Sequence, residues 1–521
     1  MARRRPVRSL LLATALAAAL LATLPAAALG AWAKVSGDAV STIHQPSLLQ
    51  HGPRVLALWP AGTGTDLATT LELRGFAPTL ARPGNGLGAV ATVASGFTVM
   101  ASQPALLATP AGPRAVYGAT RPDGIARLYL SEPFAEGVAP AGPPAELGAS
   151  RGGTLDAVAL ADGTPVTALD WAGDLHVQRG AIPVDQEGAP LQAQLGGCCS
   201  YNVAAVLDAA GGVWVAWYSN AAGQTGVYVQ AVDPATGAPL GSPAKAPQSQ
   251  GVANNTQRIA LVAEPAGPGA RVVYAAQSGP VAPYRIVSWR PGEGAPTPVA
   301  VPGDIGIAFY GTAARHRDGR LWVAWYDREA GGANRPGVVA KLGNARGAGG
   351  VNVPLGQPPR TVANGPLASL AQGENLLVGA VMDTGAVRGA LWATVSPEVI
   401  IQNPQTIRSG PARVVAPKRV SIRALRASRT KCVHVKVTAV RAARVQVSIF
   451  SGRRSIRLFG QARVVFPTAG SKVVCVRVPL RARTFDVRTP TRIAVAAKPG
   501  ARPVRGEKPA TLTIRGLRFF R

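Results

Sequence analysis

Past the first thirty residues, short apolar runs alternate with polar stretches rich in glycine, and no long segment carries the period of an amphipathic helix. The clearest run, Gly212-Val213-Trp214-Val215-Ala216-Trp217-Tyr218, returns as Gly319-Arg320-Leu321-Trp322-Val323-Ala324-Trp325-Tyr326. Weaker copies begin at Gly52, Gly112, Gly163, Gly269 and Gly373, so that neighbouring anchors lie 49 to 60 residues apart. Further apolar segments stand before several of these glycines, as at 202–207 and 259–262, and after them, as at 226–230 and 336–341. Each copy thus supplies three or more short strands joined by glycine turns, the content of one propeller blade. The pattern predicts an all-β chain whose residues 34–400 form a seven-bladed β-propeller. A six-bladed ring with an irregular first segment is the alternative.

A different pattern takes over near the C-terminus. Val433, Val435 and Val437 alternate with polar residues, as do Val445, Val447 and Ile449, while Val473 and Val474 lead into Cys475. Period-two alternation marks half-buried antiparallel strands. We therefore expect a linker over 401–417 and a small β-sandwich over 418–521.

Charge separates the two regions. The chain has 521 residues and a net charge of +29, but residues 408–521 hold 28 Lys and Arg against only Asp486 and Glu507. Residues 34–407 sum to −1. So uneven a distribution points to a polyanionic partner for the C-terminal region, expected to be an anionic cell-envelope polymer rather than nucleic acid. A plainer reading is that solvated strand faces carry the arginines. At the other end, Arg3-Arg4-Arg5 and Arg8 precede an apolar stretch and then small residues, the layout of a secretory signal peptide over 1–33, cut near 28–33. Export to the medium or cell surface follows, with no transmembrane segment in the mature chain.

Four cysteines in an exported chain imply disulfides, and four permit three pairings. Cys432 and Cys475 fall in predicted strands; Cys198 and Cys199 are adjacent, where a vicinal bond and two thiols both remain open. The histidines His44, His51, His176, His316 and His434 are scattered and no Cys-x-x-Cys occurs, so neither a metal nor a cofactor is expected. Nucleophile-elbow, phosphate-loop and zinc-protease motifs are absent from plausible contexts.

In a propeller, residues ending the central strands line one mouth of the axial channel. On that ground Trp59, Asp170, Trp171, Tyr218, Tyr326, Asp327 and Asp383 are the candidate ligand-binding residues. Rings beside carboxylates suit sugars, whose C–H faces stack while their hydroxyls bond the acids. Trp214, Trp217, Trp322 and Trp325 are expected between blades instead.

The phrase from Asp318-Gly319 through Trp325-Tyr326-Asp327 resembles the blade core of sialidase-like propellers, a likeness that extends loosely over 35–400 and is strongest over 200–345. The family's Ser-x-Asp-x-Gly-x-Thr-Trp box is not present in full. The resemblance implies three arginines on a substrate carboxylate, a Tyr/Glu nucleophilic pair and an acid/base aspartate; Arg285 weakly matches the first arginine, and the other roles have no assigned position. Cys432 and Cys475 resemble the inter-sheet bridge of an immunoglobulin-like sandwich, although no Trp follows Trp392. The leading expectation is a secreted, non-catalytic protein. Its propeller would recognise an extracellular glycan or protein while its basic domain holds envelope polymers. The alternative is a sialidase-like glycoside hydrolase.

Overall fold

The computed structural model describes residues 31–520 except 63–67, 80–82, 150–152, 172–173, 182–198, 253–257, 280–283, 300–308, 328–336, 351, 359–360, 384–388, 398–403, 410, 418, 428–430, 452–456, 479–490 and 501–510. The described chain is nearly all β. Seven small antiparallel sheets follow one another between residues 33 and 396. Their innermost strands are Ser47–His51, Ala105–Thr109, Leu155–Ala159, Ser200–Leu207, Ala260–Ala263, Phe309–Arg315 and Val362–Gln372. Each touches the next in this order, and Val362–Gln372 touches Ser47–His51, so the succession closes on itself.

Sequence explains why each sheet forms. The turn between innermost and second strand falls on the anchor glycines; Gly269 and Gly319 adopt φ of 127° and 84°, a left-handed region closed to most side chains. At the best-matched repeat the residue in that conformation is Gly211 (φ 84°) rather than the anchor Gly212. Apolar second strands are buried on both faces because a sheet lies on either side. Trp217, Trp322 and Trp325 are wholly buried there, as expected, whereas Trp214 is half-buried and donates from Nε1 to Asp208 Oδ2 at 2.9 Å.

Polar side chains tie the innermost strands to one another. Leu106 N donates to Ser47 Oγ (2.9 Å), Gln103 Nε2 to Leu155 O (2.7 Å) and Val203 N to Thr154 Oγ1 (3.0 Å). Ala205 N donates to Asp156 Oδ2 at 2.9 Å, and the Thr312 and Ser369 hydroxyls meet at 2.9 Å. These bonds satisfy backbone groups that no ladder within a single sheet can reach.

The seventh sheet takes its outermost strand from the start of the described chain: Ala33–Lys34 pairs antiparallel with Gly389–Ser396. Trp32 Nε1 donates to Leu355 O (2.9 Å), and Thr394 Oγ1 donates to Ala31 O (3.0 Å). Residues 31–33, expected to leave with a signal peptide, therefore belong to the ring. Cleavage at the late edge of the 28–33 window would remove this strand.

The basic region forms two sheets around one core. A four-stranded sheet contains Pro404–Ser409, Ala412–Pro417, Cys432–Ala439 and Gly470–Arg477 in that order. A five-stranded sheet contains Arg419–Ser421, Thr511–Phe520, Thr491–Pro499, Ala443–Ser451 and Arg457–Phe466. Val414, Val433, Val435 and Val437 of the first pack with Val445, Val447, Ile449, Ile493 and Val495 of the second. Two expectations need correction. Most of the supposed linker 401–417 is strand: Ala412–Pro417 pairs with Cys432–Ala439, with Val414 fully buried. The Cys432–Cys475 disulfide joins neighbouring strands of one sheet (Cα–Cα 5.1 Å) instead of bridging two sheets. The register explains this. His434 stands opposite Cys475 and Cys432 opposite Arg477, so the cysteines are diagonal neighbours on one face.

Cys199 is disulfide-bonded, and no cysteine is free among the described residues; Cys198 lies outside them. No described helix is long and apolar enough to cross a membrane.

Candidate ligand site at one mouth of the ring

Six of the seven innermost strands, together with Gln103 and Pro104 just before Ala105–Thr109, line an axial cavity of about 170 Å³. Its lining runs through Gln45 to Leu48, Gln103, Asp156, Val203, Ile259, Thr312 and Ser369. Asp156 is its only described carboxylate.

Immediately N-terminal to these lining segments stand His44, Asn202, Arg258 and Tyr310. Each precedes or opens an innermost strand, so the four share one end of the ring. Arg258 donates from Nη1 to Asn202 Oδ1 and lies over the Tyr310 ring, 5.3 Å from its centroid. Among the described residues no carboxylate pairs with it. Burial pulls its pKa below the usual range, which the neighbouring Tyr310 opposes. Guanidinium is too basic to shed its proton, so this remains a shielded cation without a counter-charge among the described residues.

The backbone here departs from regular strand. Asn202 and Tyr310 have φ of 54° and 53°, and their strands break register between Tyr201 and Ala204 and between Phe309 and Thr312. A third break falls between Ala363 and Leu367. Left-handed conformation is tolerable for Asn but costly for a bulky aromatic, and such bulges re-aim side chains beside binding sites.

Two titrating groups flank the cavity. Burial, and then the charge of Arg258, lower the His44 pKa to about 4, a Met100 backbone bond opposing. Its imidazole is thus neutral at pH 7. Burial pushes Asp156 up to about 6, against N–H donation from Ala205 and Ala157, each at 2.9 Å. Part of its surface faces the cavity, so it counts as half-buried although protein surrounds it. Aromatic rings extend the mouth outward. Tyr201 is the cross-strand partner of Tyr218, and the Tyr310 and Tyr326 rings lie 6.0 Å apart. Burial first, then Tyr201 and Tyr284, raises the Tyr218 hydroxyl.

The residues nominated from sequence occupy this same end, one strand too far out. Trp59, Asp170, Trp171, Tyr218, Tyr326, Asp327 and Asp383 all end second strands. Trp59 and Tyr326 are fully buried, and Tyr218 nearly so. Trp59 Nε1 donates to Glu72 Oε2 at 3.1 Å, and the Asp170 carboxylate fills the space beside Gly153. Asp327 and Asp383 are half-buried; only the backbone of Trp171 is described. None of the seven lines the cavity. Arg285, the weak family match, is exposed at the start of the third strand of its sheet. His44, Asn202, Arg258, Tyr310 and Asp156 are not among the residues that the sequence nominates. A signal existed: in several repeats a polar or aromatic residue directly precedes, or opens, the apolar run before the anchor glycine.

No known protein family and no curated protein matches the sequence. Among solved structures, the chain is similar to a sialidase of Trypanosoma rangeli in complex with sialic acid, at 6% identity, 94% and 92% coverage of this chain and that one, and TM-score 0.42. It is similar to an alpha-L-arabinanase of Penicillium chrysogenum complexed with arabinobiose, at 11% identity, 71% and 99% coverage and TM-score 0.41. The polysaccharide lyase Uly1 is similar at 12% identity, 70% and 91% coverage and TM-score 0.42.

Proposed function

We propose that the ring is a seven-bladed β-propeller that binds an acidic glycan at the mouth formed by His44, Asn202, Arg258 and Tyr310. One observation carries this reading: Arg258 is a shielded cation with no carboxylate partner among the described residues, beside an aromatic face. An incoming carboxylate or sulfate would supply the missing counter-charge through a two-pronged hydrogen bond, and sugar C–H faces would stack on Tyr310 and Tyr201. The C-terminal unit is a β-sandwich holding anionic polymers, and the whole is exported, for which a disulfide and the N-terminal pattern are the support.

Calorimetric titration with uronate-containing oligosaccharides and their neutral counterparts tests the ring site. Acidic sugars should bind at least about tenfold tighter, and Arg258→Gln should erase the difference. Equal binding of neutral sugars, or an unaffected Arg258→Gln protein, would sink the assignment.

A second reading is turnover of the bound glycan. What favours it is a cavity-lining carboxyl that titrates near 6 and so can give or take a proton near neutrality. A hydrolase of the two-carboxylate type has less support, because among the described acids Asp156 alone lines the cavity. New chain ends released from an acidic polysaccharide, and lost in the Asp156→Asn protein, would establish turnover.

A further inference from the structure

The basic unit has two outer sheet faces, and they differ. On the four-stranded sheet, Gly470–Arg477 meets the ring strand Asn352–Gly356, so part of that side is occupied by the ring. The five-stranded sheet turns Val445, Val447 and Ile449 inward, which leaves the half-buried Arg444 and Gln446 and the buried Ser448 on the alternate positions of that strand. On the neighbouring strand Ala462, Val464 and Phe466 pack inward, while Gln461, Arg463 and Val465 are exposed.

Backbone register sets further basic residues beside these rows. Lys498 stands opposite Arg444, Arg492 opposite Phe450, and Arg518 opposite Arg419 at the edge. Between the basic rows lie neutral hydrogen-bonding positions: Arg463 Nε donates to Gln446 Oε1 at 3.0 Å, and Gln461 Nε2 donates to Ser448 Oγ at 3.3 Å. With about 3.3 Å per residue and about 4.8 Å per strand, the face measures roughly 20 Å each way. No acid falls in any strand of this sheet.

We infer that this outer face is where the basic unit binds a linear anionic polysaccharide. The inference rests on the reading of that unit as a polymer-holding module and adds the surface and the polymer class. Charge complementarity selects a polyanion, and the Gln446 and Gln461 amides beside the cations match sugar hydroxyls. Neither Trp nor Tyr occurs after Trp392, and Phe450 is the aromatic residue in the row of Arg444 and Gln446, so single-stranded DNA is the competing ligand that the test must separate.

The test uses the full chain, with polygalacturonate fragments and heparin titrated over a series of NaCl concentrations. Replacing Arg444, Arg463, Arg492 and Lys498 by Gln should weaken binding at least about tenfold and flatten its salt dependence. A control removes the same charge elsewhere in the unit, through Arg413→Gln, Lys431→Gln, Arg441→Gln and Arg477→Gln, and should cost less than about threefold. Equal loss in the two proteins, or a larger loss in the control, overturns the assignment of the face and leaves the broader reading standing. Absence of any binding by the unaltered chain at low salt overturns both. Tighter binding of single-stranded DNA of equal charge overturns the polysaccharide. Should the fourfold protein melt early, Arg463→Gln alone, on an exposed side chain, keeps the question open to measurement, with about a threefold loss expected and none overturning the claim.

Discussion

Two side chains at the ring mouth carry opposite pH signatures. His44 titrates near 4 when folded and near its ordinary 6.5 when unfolded, so the unfolded chain takes up its proton first and stability falls as pH drops from 6.5 to 4. Asp156 titrates near 6 when folded and near 3.8 when unfolded, so the folded chain takes up the proton first and stability rises over much the same interval. The two effects oppose each other, and single substitutions separate them. A His44→Asn protein should gain stability relative to the wild type at pH 4.5. An Asp156→Asn protein should gain about 1–2 kcal/mol at pH 7.5 and lose that advantage near pH 4, with cavity water screening the rest. Thermal melting across that range checks both; parallel profiles for variant and wild type would contradict these environments. Arg258 reads differently. Because its charge meets no described acid, Arg258→Gln should leave stability unchanged or improved while removing anion binding.

At the scale of elements, the junctions between sheets hold the ring. Asp208 accepts from Ala210 N and Gly212 N within its own turn, from Trp214 Nε1, and from Gly269 N of the following sheet at 2.8 Å. Asp208→Ala would strand four donors, and a loss of about 2–4 kcal/mol is expected in denaturant unfolding. The next junction is ionic: Arg271 pairs with Glu264 and Glu293, and Arg315 reaches Glu264 from the neighbouring sheet. The terminal strand offers a further test. A chain beginning at Val35 forfeits the Ala33–Lys34 ladder and the Trp32 bond, and should melt several degrees below one beginning at Ala31, in keeping with a loss of about 2 kcal/mol. Identical melting would show that closure does not depend on this strand.

On the scale of the whole molecule, a near-neutral ring and a cationic two-sheet unit each have their own core. Their responses should therefore separate. The disulfide between Cys432 and Cys475 closes a loop of 43 residues within the basic unit alone. Replacing both by Ala should lower that unit's calorimetric transition by about 2–4 kcal/mol and leave the ring's transition in place. A shift of both transitions together would mean the two cores unfold as one.

Much of this was legible beforehand. Glycine spacing and alternating valines specify strands, turns and the change of pattern near residue 400, because those are local consequences of backbone sterics and burial on one or two faces. Sequence could not say which strand of each sheet lies innermost, since first and second strands are equally apolar. Only the closing of the ring sets Ser47–His51 against Val362–Gln372 and sends Trp59 and Tyr326 into the core while Arg258 and Tyr310 meet at one end of the innermost strands. Likewise the cysteine spacing permits a bridge within a sheet or between sheets, and the register of His434 against Cys475 decides it. Local rules act over a few residues; the axis, the cavity and the surroundings of Arg258 arise from contacts between different sheets.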